Sequence, residues 1–246
     1  MKLKVMTYNI AGCRDYSQAP SNIHVDPDAC VGVIRELSPD ILGLNEVDSN
    51  LPRSNFCDVP EYIGEKLGFE RYYAPAFKWG DGFYGNAFAT KYHILKSENI
   101  PVPDPEDRSE PVSYETRCIL HSVINVNGIC VNVFVTHFGL AGSERENSVK
   151  TLEALIKNTC DPVILMGDFN LTPDDKTLDP LRKLLFCADD LLPNGTFSFP
   201  SHDGIRSEHI LIDYIMVSKH FTVKNIGVRE FRVSDHKPLF ATLELE

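Results

Sequence analysis

The residues able to do chemistry stand where apolar runs stop. Asn9 falls at the end of the run from Leu3 to Ile10, Glu46 follows Ile41-Leu42-Gly43-Leu44, and His137 follows Ile129 to Thr136. Asp168 and Asn170 come just after Val163 to Met166, Asp213 opens the run from Ile212 to Val217, and Asp235-His236 precedes the last run. Each alone reads as an ordinary turn or a solvated strand end. Together they suit hydrolysis of a phosphoester. An anionic ester repels hydroxide, so a divalent cation must neutralise charge and orient the phosphoryl group. Glu46 with Asn9 offers the oxygen donors that Mg²⁺ takes, and Mn²⁺ accepts the same set. Asp168 beside Asn170 could align or deprotonate the attacking water. His236 could donate to a phosphoryl or leaving oxygen, with Asp213 or Asp235 fixing its tautomer.

Composition bounds the partners. Basic residues number 24 and acidic ones 35, a net charge of −11. That balance disfavours a nucleic-acid polymer, which needs clustered Lys and Arg to displace counterions. It leaves room for a small phosphoester at one local site. The seven cysteines are odd in number and include no CxxC pair, so neither a disulfide framework nor a zinc site is expected. Reduced thiols fit a cytoplasmic protein. The opening MKLKVMTYNI has too short an apolar run for a signal peptide, and no window approaches a membrane span. A monomer is expected. The sequence holds no GxSxG, GxxxxGK[ST] or GxGxxG element.

The elements that must position these residues are mostly strands. Alternation predicts one from Leu3 to Ile10. Asp26-Pro27 opens a helix that ends near Ser38-Pro39, and Asp40 to Val47 is the next strand. Pro60 to Leu67 reads as a helix closed by Gly68. Asn86 to Lys91 reads as a strand, and Pro101 to Asp107 as a turn-rich loop. Asn127-Gly128 joins Cys118–Val126 to Ile129–Thr136 as a hairpin. Ser143-Glu144-Arg145-Glu146 has a capping-box pattern and begins a helix to about Lys157. Strands follow at Pro162 to Met166, Ile212 to Val217, Thr222 to Arg229 and Leu239 to Leu245. No internal repeat is visible. Two packed sheets with helices outside, in one domain over residues 1–246, is the expected class: α/β (α+β).

Seven stretches in order resemble the endonuclease/exonuclease/phosphatase superfamily, whose fold is that of deoxyribonuclease I. They are Thr7-Tyr8-Asn9-Ile10, Leu44-Asn45-Glu46-Val47-Asp48, Tyr84-Gly85-Asn86-Ala87, Thr136-His137-Phe138, Gly167-Asp168-Phe169-Asn170, Ile212-Asp213-Tyr214-Ile215 and Ser234-Asp235-His236-Lys237-Pro238. The resemblance implies a four-layer α/β sandwich with two central mixed sheets. By match, Glu46 is the main Mg²⁺ ligand with Asn9 beside it, and Asp235 is a metal-proximal acid. Asp168 and Asn170 position the water and the phosphate, and His236 is the catalytic histidine with Asp213 as partner. His137 hydrogen-bonds the phosphate and Asn86 supports that group. Arg117, in Glu115-Thr116-Arg117, either approaches the phosphate or pairs with Glu115. Three positions depart from the common pattern: Ala11 after Asn-Ile, Asn45 in place of Gln, and Leu211 in place of an Arg two before Asp213, with Arg206 and His209 nearby. The last of these touches substrate identity, not the chemistry.

The expected activity is therefore a metal-dependent phosphodiesterase or phosphatase acting on a small or lipid-derived phosphoester. A DNA or RNA nuclease using the same site is the alternative, and a binding module is a third reading. Trp79 is placed on a Gly-rich, aromatic loop before Asn86, as either a packed surface group or a platform for an apolar or aromatic leaving group. His202 and His209 are candidates for the pocket mouth.

Overall fold

The computed structural model describes residues 1–17, 24–202 and 208–246. Among the described residues twelve strands form two six-stranded sheets. The first runs in the order β11 (Phe221–Val228), β12 (Leu239–Leu245), β1 (Lys2–Asn9), β2 (Ile41–Ser49), β4 (Gly82–Thr90) and β3 (Glu70–Trp79). The second runs β5 (His93–Pro101), β6 (Cys118–Val126), β7 (Ile129–His137), β8 (Val163–Asp168), β10 (Asp213–Val217) and β9 (Phe186–Cys187). Both sheets are mixed. In each, the central pair is parallel, β1 with β2 and β7 with β8, and the described neighbours are antiparallel.

Parallel neighbours need a crossover, and a helix supplies it in both sheets. α1 (Pro27–Leu37) joins β1 to β2, and α3 (Gly142–Lys157) joins β7 to β8. α2 (Val59–Leu67) lies beside α1, and the short α4 (Asp179–Arg182) lies beside α3. Apolar residues sort into three layers. Val5, Ile41 and Leu243 of one sheet meet Val133, Ile164 and Ile215 of the other in the central layer. Val31 and Ile34 of α1 pack on Met6 and Leu42, and Val149 and Leu152 of α3 pack on Phe134 and Leu165. Alternation along each strand sends one face to the partner sheet and the other to the helices. The result is the predicted α+β sandwich, two sheets inside and helices outside.

Local signals held in most places. Asp26 caps α1 by accepting from Ala29 N at 2.9 Å, and Ser38 ends it in the left-handed region. Gly68 closes α2 at φ 68°. Asn127 and Gly128 make the hairpin turn at φ 53° and 94°. Two corrections follow. The cap of α3 falls at Ala141, with Glu144 Oε2 accepting from Ala141 N at 3.1 Å, because Glu110 accepts from Gly142 N and Ser143 N and holds that helical turn from outside. Trp79 is not on a loop. It is the last residue of β3 and pairs with Gly82 across the β3–β4 hairpin.

Candidate active site

The two parallel pairs end side by side, and their last residues are in register. Asn9 pairs with Asn45 in one sheet and His137 with Asp168 in the other. Asn45 stitches them together. Its amide donates to Asn86 Oδ1 at 2.8 Å and Thr136 O at 2.9 Å, and it accepts from Asp168 N at 2.9 Å. Just beyond, β2 carries a bulge between Leu44 and Val47, with Glu46 at φ 54°. A non-glycine residue in the left-handed region is uncommon and costs energy unless its surroundings hold it. Here the bulge re-aims Glu46 into a cavity of about 310 Å³.

Asp168 forms the floor of that cavity. It is 1% exposed. Oδ2 accepts from Asn9 Nδ2 at 3.0 Å and faces His236 Nε2 at 3.6 Å and His137 Nε2 at 3.5 Å; Oδ1 accepts from Asn170 N at 3.0 Å. His236 Nδ1 lies 2.9 Å from Asp213 Oδ2. Burial opposes the imidazolium, but Asp213 and Asp168 outweigh it and lift His236 to about 10. Burial, with Asp213 adding to it and His236 opposing, lifts Asp168 to about 7. His137 goes the other way: burial and the cations Arg117 and His236 push it well below its ordinary value. Arg117 Nη1 donates to His137 Nδ1 at 3.1 Å. The cavity thus holds one charged and one neutral histidine, a division that separates acid from hydrogen-bonding roles.

Glu46 and Asp235 occupy the other side. Glu46 is less buried, 24% by its side chain, and its partners are the Asn9 amide at 3.3 Å and Arg14 Nη2 at 3.8 Å. Burial and the nearby charge of Asp235 push its carboxyl up.

Most of the predicted residues therefore meet in one place: Asn9, Glu46, His137, Asp168, Asn170, Asp213, Asp235 and His236. Asn170 Nδ2 stands 3.2 Å from His137 Nε2 and donates to Phe138 O at 2.9 Å. Arg117 resolves toward pairing with Glu115 at 2.9 Å, yet it also lines the cavity. Asn86 does not touch it. Its amide is spent on Asn45 and, at 3.1 Å, on Cys118 O, one layer behind the site. Asn9 turns its NH₂ toward the carboxylates, because its oxygen accepts from Ala11 N at 3.1 Å. His209 stacks on Phe197 at 4.2 Å and His202 bonds Ser201 at 3.0 Å; Phe199, Ile210 and Ile212 line that side of the cavity. Arg206 lies outside the described residues.

Two contributors carried no sequence signal, Arg14 beside Glu46 and Arg53 in the wall; Tyr84, from the Tyr84-Gly85-Asn86-Ala87 stretch, brings its hydroxyl to 3.4 Å from His137 Nδ1. A broader groove of about 720 Å³ at the edges of β3 and β5 holds surface ion pairs such as Arg71 with Glu61 and none of the predicted residues.

A model of the Endonuclease/Exonuclease/phosphatase family matches residues 6–236. The chain belongs to that family. Members of the Endonuclease/Exonuclease/phosphatase family hydrolyse phosphoesters and generally use a divalent metal. Among solved structures, a family protein from Bacteroides vulgatus superposes with TM-score 0.80 at 21% identity, covering 100% of both chains. A mannosyl-6-phosphatase from Bacteroides thetaiotaomicron superposes with TM-score 0.76 at 19% identity, covering 99% of this chain and 100% of the other. Protein cwh43 of Schizosaccharomyces pombe is 23% identical over 139 residues, 54% of this chain. The match spans 13% of that relative's length. Among the described residues no helix is long and apolar enough to cross a membrane.

Proposed function

We propose that this family member is a Mg²⁺- or Mn²⁺-dependent phosphodiesterase or phosphatase acting on a small or lipid-derived phosphoester, and that residues 1–246 work as one catalytic unit. The observation that carries the reading is the paired environment of one cavity. Two carboxylates, Glu46 and Asp235, stand together with Arg14 3.8 Å from Glu46, while His236 bonds Asp213 at 2.9 Å and faces Asp168 at 3.6 Å.

The donor chemistry fits a hard cation. Glu46 and Asp235 would hold it, with Asn9 shaping the Glu46 carboxylate. Ligand atoms of Asp168, Asp213 and His236 also lie within 4.8 Å of one another. That trio suits a cation less well, because a protonated imidazole has no free lone pair. When bound, the metal would neutralise phosphoryl charge and lower the cost of attack by water.

The remaining steps use the chain's own groups. Asp168, as carboxylate, orients the water and draws its proton at Oδ2. The His236 imidazolium, aligned by Asp213, donates from Nε2 to the phosphoryl or leaving oxygen. Arg117, Asn170 and the neutral His137 hold phosphoryl oxygens by N–H donation. Attack is in line and single-step, with no covalent intermediate. The −11 net charge and the mannosyl-6-phosphatase likeness both favour a small substrate over a nucleic-acid polymer.

The test is hydrolysis of p-nitrophenyl phosphate and bis(p-nitrophenyl) phosphate with Mg²⁺ or Mn²⁺. Turnover is expected to vanish with EDTA and in His236→Ala. Folded protein that cleaves neither ester with either metal would overturn the reading.

A further inference from the structure

Trp79 stands between two cavities. One is the cavity of Glu46 and Asp168. The other, about 370 Å³, is lined by Lys78, Arg108 and Tyr114, and Phe77, Trp79 and Glu115 line both. The indole is 49% exposed. It is nonetheless fixed. The Arg53 guanidinium lies 4.6 Å from its ring centroid, and two hydrogen bonds to Asp48, at 2.8 and 2.7 Å, hold that guanidinium in place. A ring held by Arg53 and flanked by Phe77, 6.4 Å away between centroids, with half of its surface open, is a preformed stacking surface with little entropy left to lose.

The charges around the second cavity do not cancel. Arg108 answers Asp104 at 2.8 Å, and Glu115 answers Arg117. Lys78 makes no ion pair among the described residues, so one positive charge is left uncompensated. A lipid chain would want an apolar continuation there, and a cationic group would meet Lys78 and Arg108.

On the phosphoesterase reading above, we propose that the two cavities are one cleft. The ester it takes joins its phosphoryl group to a flat aromatic group that bears a second anion. The phosphoryl group lies over Asp168 and His236, the ring on Trp79, and the second anion at Lys78 and Arg108.

Trp79 is the single tryptophan of the chain, so its fluorescence reports the cleft directly. The probes are ethylphosphonate, benzylphosphonate and 4-carboxybenzylphosphonate, titrated with Mg²⁺ present. Benzylphosphonate is expected to quench Trp79 and to bind about tenfold more tightly than ethylphosphonate, as one stacked ring allows. The carboxylate is expected to add a further gain of about threefold, lost in Lys78→Ala and reduced in Arg108→Ala. In Trp79→Ala, followed by calorimetry, the preference for benzyl over ethyl disappears. Equal binding of benzyl and ethyl ligands, an unmoved Trp79 signal at saturation, or no gain from the carboxylate would each overturn the proposal. Parallel turnover of the p-nitrophenyl esters separates the two ideas. Aryl binding as described without any turnover removes the hydrolase reading and keeps the cleft. Turnover without aryl preference removes the cleft and keeps the hydrolase.

Discussion

The two sheets are wired alike and armed differently. Strand order and polarity repeat: an outer antiparallel pair, a central parallel pair bridged by a helix, then two more antiparallel strands. Asn9 and Asn45 end the parallel pair of the first sheet, and His137 and Asp168 end that of the second. The frame explains why these ends meet. It does not explain their chemistry, which follows from burial and partners. Glu46, raised on a bulge, keeps 24% of its side chain exposed and has weak partners. Asp168 is 1% exposed and enclosed by Asn9, Asn170 and both histidines. A partly solvated carboxylate with little to satisfy it is free to bind a cation. A buried one wired to histidines is set to handle a proton.

That division is broken or sharpened most strongly by exchanging carboxylates for amides. Asp168→Asn removes the proton acceptor of the proposed mechanism, and turnover should fall by roughly 10³-fold or more. Raising Mg²⁺ or Mn²⁺ should not restore it. Glu46→Gln should lose as much at low metal but recover in large part as the metal is raised, because on the proposed mechanism it weakens a ligand and leaves the acid–base pair intact. Steady-state rates across a metal titration compare the two. A recovery in Asp168→Asn, or none in Glu46→Gln, would collapse the distinction between the sheets.

The frame itself differs in tolerance at its two central glycines. Gly167, in β8, has φ 147°, and a Cβ there would sit 1.8 Å from Thr136 O. Backbone cannot yield to it, so Gly167→Ala should cost about 3 kcal/mol or more. Gly43, in β2, would bring its Cβ to 3.0 Å from Met166 Sδ and 3.1 Å from Val135 Cγ2. Met adapts, so Gly43→Ala should cost about 1 kcal/mol. Urea unfolding of both variants measures the order, and a reversed order would mean that the sheet-to-sheet spacing is tighter than the strand pairing.

Residues that end apolar strands were legible in the sequence, because a strand exposes its last side chains at a rim shared by the sheet. Asn9, Glu46, His137, Asp168, Asp213 and His236 are of this kind. Asn86 was not, since the same strand position can face the cavity or the layer behind it, and Asn45 decides which. Arg14 and Arg53 were invisible because they arrive from turns whose path no periodicity fixes. The edge strands β3 and β5 were missed for a related reason. β3 contains Pro75, and β5 is mostly exposed, so neither alternates cleanly.

The smallest effect expected separates the two sheets by how each keeps a buried aspartate. Asp48 in the first is met by Arg53. Asp189, at the edge of the second, has no cationic partner among the described residues. Its Oδ2 accepts from Ile215 N at 3.0 Å, its Oδ1 has no partner, and burial pushes it up to about 7. A carboxyl so raised holds its proton more tightly folded than unfolded. Below about pH 4 both states keep the proton, so nothing is lost; between about 4 and 7 the unfolded chain releases it first, and stability falls as pH rises. Asp189→Asn stays neutral and can still accept from Ile215 N. Relative to the wild type, its stability should therefore improve with pH across that window, by roughly 1 kcal/mol after allowing for water reaching the charged form. Urea unfolding of both proteins at pH 4.5 and 7.5 isolates the difference, because every other titrating group is common to the pair. A difference that is constant with pH would show that Asp189 is ionised in the folded protein, and that the second sheet supports a buried charge without the partner the first one needs.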